Sequence, residues 1–194
     1  MLKGVKENMS RVNLGAKPYL IPQPVMLIGT YDENGKANLM NAAWGGIVGA
    51  DEIIVELGSH KTTDNLKFKK AFTVSIADAE HVIASDYVGI VSGRNEPEKL
   101  KHAGFTAIKS EFVDAPLFEE LPLTLEVELI EVLSGNKYLG KIRNVSADER
   151  ILGEDGTISL EKFFPIIFDA VHHGYYRLGE KVGTAFSDGN ALKD

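Results

Sequence analysis

Two stretches of the 194-residue chain combine residue types that can do chemistry. The first is Gly58-Ser59-His60-Lys61-Thr62-Thr63-Asp64-Asn65-Leu66, which sets hydroxyls, a cation and main-chain amides between an apolar strand and a helix start. Amides at a helix N-terminus lack an intrahelical acceptor and carry partial positive charge, so they suit an anion such as a phosphate; Lys61 adds a full charge. The same residues suit a second role, in which Thr62 or Thr63 caps the helix and Lys61 stays in solvent. The second stretch is Asn38-Leu39-Met40-Asn41-Ala42-Ala43-Trp44-Gly45-Gly46, where small residues surround the only tryptophan. Small residues let a flat ring approach main-chain amides, and Asn offers both donor and acceptor. Its alternative reading is an ordinary core aromatic followed by a glycine turn.

Other chemistries are disfavoured by what the chain lacks. Without cysteine there is no disulfide, thiolate nucleophile, Cys-ligated zinc or iron–sulfur cluster. The histidines form no H-E-x-x-H or H-x-x-E-H pattern, and His172 and His173 would point to opposite faces of a strand. Gly45 to Gly49 does not have the G-x-G-x-x-G spacing. No Ser/His/Asp order or carboxylate pair stands out. Ser92-Gly93-Arg94-Asn95 brings a turn and a cation close to Lys99, and reads equally as a surface loop. Any redox chemistry must therefore come from a cofactor, and no metal site is expected. The net charge of −7, with Lys and Arg dispersed, argues against nucleic acid. The apolar run Pro24 to Gly29 is too short for a signal h-region or a membrane span, so a cytoplasmic location away from membranes is expected.

The elements that must position these residues are mostly strands. With 44% hydrophobic residues the chain can bury one core, and a single domain over 1–194 is expected, with residues 1–20 as an extended arm broken by prolines. Pro24 to Thr30, the Asn34-Gly35 turn and Lys36 to Asn41 read as a hairpin. A strand follows at Ile53 to Leu57, then a helix at Thr63 to Lys70 and a strand at Phe72 to Ile76. Further helices are expected at 79–89 and between Pro97 and Gly104. Leu123 to Val132 alternates apolar with Thr124, Glu126 and Glu128, which predicts a half-exposed strand. Ser134-Gly135-Asn136 turns it into a partner at Tyr138 to Val145, and the C-terminal third adds short strands near Phe163 to Phe168 and Tyr175 to Leu178. Hairpins without a βαβ rhythm predict a mainly β fold, a closed or partly closed antiparallel barrel with short helices.

Taken in order, the motifs resemble the flavin reductase-like family of FMN-binding split barrels, which includes flavoredoxin. They are Pro24 to Thr30, the Asp32 to Asn38 hairpin, Asn41 to Trp44, His60-Lys61-Thr62, Ser92-Gly93-Arg94 with Lys99, Ala115 to Glu120, and Tyr175 to Gly183. The resemblance implies a Greek-key split barrel that binds FMN non-covalently, as a homodimer whose partner chain helps form the site. It implies that Asn41, Ala42, Ala43 and Trp44 sit beside the ring. Ser59, Lys61, Thr62 and Thr63 would hold the phosphate, Lys99 would reach the phosphate or the ring edge, and His60 and Ser92 would also contact the cofactor. Ala42-Ala43 departs from relatives that carry Ser or Thr before the Trp, so a hydroxyl contact to the ring is missing or is replaced by main-chain amides. The activity implied is hydride transfer from NADH or NADPH to flavin N5, an NAD(P)H:flavin oxidoreductase. The alternative is a flavoredoxin-like FMN electron carrier without its own nicotinamide site, fed by a redox protein.

Overall fold

The computed structural model describes residues 10–193. Of the arm expected over residues 1–20, positions 1–9 lie outside the described residues, and residues 10–22 run exposed and without regular structure. β1 (Gln23–Pro24) leads into the hairpin of β2 (Met26–Tyr31) and β3 (Ala37–Ala42). β4 (Gly45–Ile47) pairs with β5 (Glu52–Glu56), and α1 (Lys61–Lys69) leads to β6 (Ala71–Ile76). Then come α2 (Val82–Ile90), α3 (Lys99–Ala103) and the small hairpin of β7 (Ala107–Lys109) and β8 (Pro116–Phe118). The long hairpin of β9 (Leu123–Leu133) and β10 (Lys137–Ala147) is followed by β11 (Ile166–Asp169) and β12 (Gly174–Arg177).

Seven strands form one antiparallel sheet in the order β3-β2-β6-β9-β10-β5-β4. Its two edges, β3 and β4, are separated in sequence only by Ala43 and Trp44. Three trans peptide steps from Ala42 to Gly45 span at most about 11 Å. A flat sheet of seven strands would be roughly 29 Å from edge to edge. The sheet must therefore curl until its edges meet at one corner, which makes a barrel split between β3 and β4. Gly45 sits at that corner: a Cβ there would lie 2.9 Å from Met26 Cε and 2.5 Å from the Ile54 carbonyl oxygen, so only glycine allows the approach.

The barrel interior is filled by Met26, Ile28, Val55, Leu66, Phe72, Val74, Val127 and Tyr138. A second cluster, with Leu27, Leu39, Val88, Phe105, Phe118 and Ile166, lies on the outer face of β2 and β3. β2 is thus buried on both faces, which is why Val25 to Thr30 reads as a continuous apolar run rather than an alternation.

The structure departs from sequence expectation in three places. α1 begins at Lys61, two residues before the expected start, so Lys61 and Thr62 belong to its first turn. Gly45 to Ile47, to which the sequence reading assigns no strand, is an edge strand. The face of β9 expected to meet solvent is in part buried: Thr124 and Glu126 are 3% and 1% exposed. The β7–β8 hairpin and its connecting loop cover that face. Glu126 accepts from Ser110 Oγ and, at 2.7 Å, from Asn144 Nδ2, and the hydroxyls of Thr124 and Ser75 share a bond of 2.7 Å. Buried polar groups are tolerable when partnered in this way.

Candidate functional site

β3 pairs only with β2, so one edge of β3 is left open. Against it sit the N-terminus of α1 on one side and the C-terminus of α2 on the other. Between them lies a cleft of about 180 Å³ lined by Asn38 and Met40 of β3, His60, Lys61 and Thr62, the segment Val88 to Gly93, and Lys99.

Each wall is fixed by identifiable bonds. Thr63 Oγ1 accepts from the His60 amide at 3.1 Å and donates to the His60 carbonyl at 2.8 Å, which pins the entry to α1. The Thr63 and Asp64 amides bond back to the His60 carbonyl. The amides of Lys61 and Thr62, at the first two helical positions, precede any intrahelical acceptor. Asn38 Nδ2 donates to Thr62 Oγ1 at 2.7 Å, with both residues buried. Lys61 Nζ lies 3.1 Å from Asp32 Oδ2. The other oxygen of Asp32 accepts from the Asn34 and Lys36 amides, and these bonds with Lys61 hold the carboxyl below its usual range against the opposing effect of burial. The hairpin therefore grips the helix start at two successive residues.

The far wall is set by α2 and the turn after it. Lys99 is 4% exposed, and its Nζ donates to the carbonyls of Val88 and Val91 at 3.1 and 3.0 Å. Burial, and secondarily the charge of Lys61, lower its pKa to about 8. The amides of Asn95 and Glu96 bond to the Ser92 carbonyl, closing the Ser92 turn. A Cβ on Gly93 would lie 2.3 Å from Asn38 Oδ1, so this turn reaches the cleft floor only because position 93 has no side chain. Arg94 pairs with Asp64 at 2.6 Å on the rim.

The expected site residues do not all converge in one chain. His60, Lys61, Thr62, Ser92 and Lys99 meet around the cleft. Thr63 serves the cap, and Ser59 is exposed and does not line the cleft. Asn41 faces the other way from Met40, toward α2 and β12: its Nδ2 donates to the Ser85 carbonyl at 3.1 Å and to Tyr175 Oη at 3.3 Å. Tyr175 in turn donates to Asp86 at 2.8 Å, and burial together with that carboxylate raises its pKa to about 12. Ala42 packs against the barrel core. Ala43 and Trp44 bridge the split, and Trp44, 45% exposed, lines a separate groove of about 620 Å³ with Pro18, Tyr19, Leu20, Gln23 and Lys137.

Sequence reasoning did not assign Asp32, Asn38, Gly93 or the α2 carbonyls to the site. Asp32 was visible in the turn signal and Asn38 in the stretch around Trp44; their grip on Lys61 and Thr62 crosses 29 and 24 residues.

A seven-stranded sheet split beside an anion-suited cleft has known counterparts, and the sequence match is decisive. Residues 19–168 match the family described as flavin reductase like domain. The chain belongs to that family. Its structure resembles flavoredoxin of Desulfovibrio vulgaris (Miyazaki F), with 38% identity and a TM-score of 0.89 over 93% of this chain and all of that one. Flavoredoxin from Methanosarcina acetivorans is 26% identical, with a TM-score of 0.83 over 96% of this chain and all of that one. An FMN-binding domain of flavin reductase-like enzymes from Shewanella baltica shares the fold at 18% identity and a TM-score of 0.75, over 84% of this chain and 89% of that one. An uncharacterized protein of Aeropyrum pernix is 26% identical over 166 residues, 82% of this chain, which spans 62% of that relative's length. No described helix is long and apolar enough to cross a membrane.

Proposed function

We propose that the protein binds FMN without a covalent bond and uses it to move electrons. The observation that carries this reading is the cleft at the open edge of β3, where a helix N-terminus, Thr62, Ser92, Gly93 and two lysines converge in a chain of the flavin reductase-like family. The cleft has room for a phosphate and the start of a ribityl chain, not for a tricyclic ring. The ring would lie along the segment Asn41 to Trp44, beside small side chains and an exposed indole.

The residues present fit that ligand. Buried Lys99 and half-buried Lys61 face each other across the cleft, and an anion between two cations relieves their repulsion. The amides of Lys61 and Thr62 can donate to the same anion. Bound FMN would supply the redox chemistry, taking up electrons from a donor and passing them to an acceptor. The chain would hold the phosphate through Lys61, Thr62, Ser92 and Lys99 and keep Asn41 oriented through Ser85 and Tyr175. Trp44, Ile47 and Val48, exposed by 45, 61 and 54% along the β4 edge, suit coverage by a second copy, so a homodimer is part of the proposal. A cytoplasmic location belongs to it as well.

The family supports an NAD(P)H:flavin oxidoreductase. The 38% likeness to a flavoredoxin favours a second reading, an electron carrier with no nicotinamide site. Anaerobic mixing of the FMN-loaded protein with NADH or NADPH separates the two. Bleaching of flavin absorbance supports the reductase. Reduction by dithionite or a redox protein alone supports the carrier. Protein that neither quenches FMN fluorescence nor turns yellow overturns both.

A further inference from the structure

A second cavity, of about 460 Å³, opens where the chain enters α2. The other end of α2 lines the cleft with Val88 to Ile90, so about 10 Å of helix separate the two. Asp78 and His81 form the floor of the cavity with Ile151 and Phe163. Asp78 is only 6% exposed. Its Oδ1 accepts from the Glu80 and His81 amides at 3.0 and 2.9 Å and from His81 Nδ1 at 2.8 Å, whereas its Oδ2 has no donor among the described residues. A neutral His81 ring that donates through Nδ1 keeps a lone pair at Nε2. The floor therefore offers acceptors, one of them a buried carboxylate oxygen whose missing partner is costly.

The two cations of the cavity belong to its exposed rim and are tied elsewhere. Lys162 Nζ donates to the Leu152 carbonyl at 2.5 Å, and Arg150 makes two bonds to the Asp148 carboxylate. Neither reaches Asp78, yet both keep N–H groups to spare. Glu80, Glu119 and Glu120 line the cavity as well, so carboxylates outnumber cations around it. Among the described residues no three His, Asp or Glu side chains are grouped to hold a metal ion, so a bare metal cation lacks its ligand set here. An ammonium group brings its own three protons to the acceptors of the floor.

We propose that this cavity binds a small zwitterion of the α-amino acid class, with its ammonium on Asp78 Oδ2 and its carboxylate toward Lys162 and Arg150. Pro122, Ile151, Phe163 and Phe164 supply a wall for an apolar side chain. A simple carboxylate would meet the repulsion of the surrounding acids with nothing to offer Asp78. A simple amine would satisfy Asp78 and leave the rim cations unused. The volume suits a small molecule. The proposal uses no residue of the flavin cleft and stands apart from the flavin reading.

Isothermal calorimetry of the full chain with leucine, N-acetyl-leucine and leucinamide tests this. Leucine is expected to bind. N-acetyl-leucine, which lacks the ammonium, is expected to bind about tenfold more weakly or worse, and leucinamide, which lacks the carboxylate, several-fold more weakly. Asp78→Asn keeps an oxygen for the loop amides and is expected to weaken leucine about tenfold. Lys162→Met is expected to weaken leucine and not leucinamide. Fluorescence titration with FMN, repeated in saturating leucine, is expected to give the same affinity. No binding of leucine up to its solubility limit, N-acetyl-leucine or leucinamide as tight as leucine, or displacement of leucine by FMN each overturns the proposal. The three ligands are compared on the unmodified protein, so an Asp78→Asn protein that fails to fold leaves the test intact. Protein that binds leucine and no flavin overturns the flavin reading alone.

Discussion

Lys61 and Thr62 are neighbours in sequence with different duties. Thr62 is buried and tied to Asn38, while Lys61 is tied to Asp32 at the surface of the same hairpin. Asn38→Ala leaves Thr62 Oγ1 without its buried donor and is expected to cost about 1–3 kcal/mol in a urea melt. Asp32→Asn keeps an acceptor for the turn amides and removes the charge beside Lys61. It is expected to tighten FMN a few-fold at low salt and to leave riboflavin unchanged, as read by the same fluorescence titration. Gly93→Ala brings a methyl group to within 2.3 Å of Asn38 Oδ1; the turn must move, and both flavin affinity and melting temperature should fall. Tyr175 adds a pH test. Its pKa is raised to about 12, so the folded state holds the phenol proton more tightly than the unfolded chain does. The stability it contributes is complete below the unfolded value of about 10 and is lost as pH rises through the folded one. Ultraviolet difference titration should show a late tyrosine step, to which Tyr31 also contributes because burial raises its pKa, and Tyr175→Phe should reduce that step by one phenol.

The elements differ in how much of themselves they declare. The β2–β3 hairpin is legible because Asn34-Gly35 marks its turn, and β9 and β10 because Gly135-Asn136 marks theirs, both with positive φ at the turn. β4 is not legible: Gly45-Gly46-Ile47 has little strand propensity and is a strand only because β5 pairs with it and the barrel corner needs a residue without Cβ. Glu126 is the other case. Its alternation with apolar residues marks a strand correctly, but which face meets water is decided by the β7–β8 hairpin and its loop. Ser110→Ala removes one of the two partners of this buried carboxylate and is expected to lower stability by about 1–3 kcal/mol in chemical denaturation. Leu27→Ala, in the strand buried on both faces, should cost about 2–5 kcal/mol by the same measurement.

At the scale of the molecule, the split is the organising feature. Two edges meet at Ala43 and Trp44, and from there β3 diverges to leave the open edge on which the cleft is built. The apolar residues around the β4 edge, with Val182 and Phe186 at full exposure in the C-terminal segment, are what a second copy would cover. Sedimentation analysis is expected to show a dimer. Ile47→Asp combined with Val48→Asp should shift it toward monomer and weaken FMN, whereas a dimer unaffected by both changes would place the interface elsewhere.

The sequence by itself determined the strand-rich class, the hairpins, the helix start that suits an anion and, through the order of its motifs, the family. Those signals are local: turn residues, two-residue alternation and caps act within a few positions. Only the tertiary structure decided that Asp32 offsets Lys61, that Asn38 supports Thr62, that Gly93 reaches the cleft floor and that Lys99 is buried against the end of α2. Each depends on pairs tens of residues apart or on groups brought together by the curl of the sheet, and no local pattern encodes which side chains a closed barrel will set face to face.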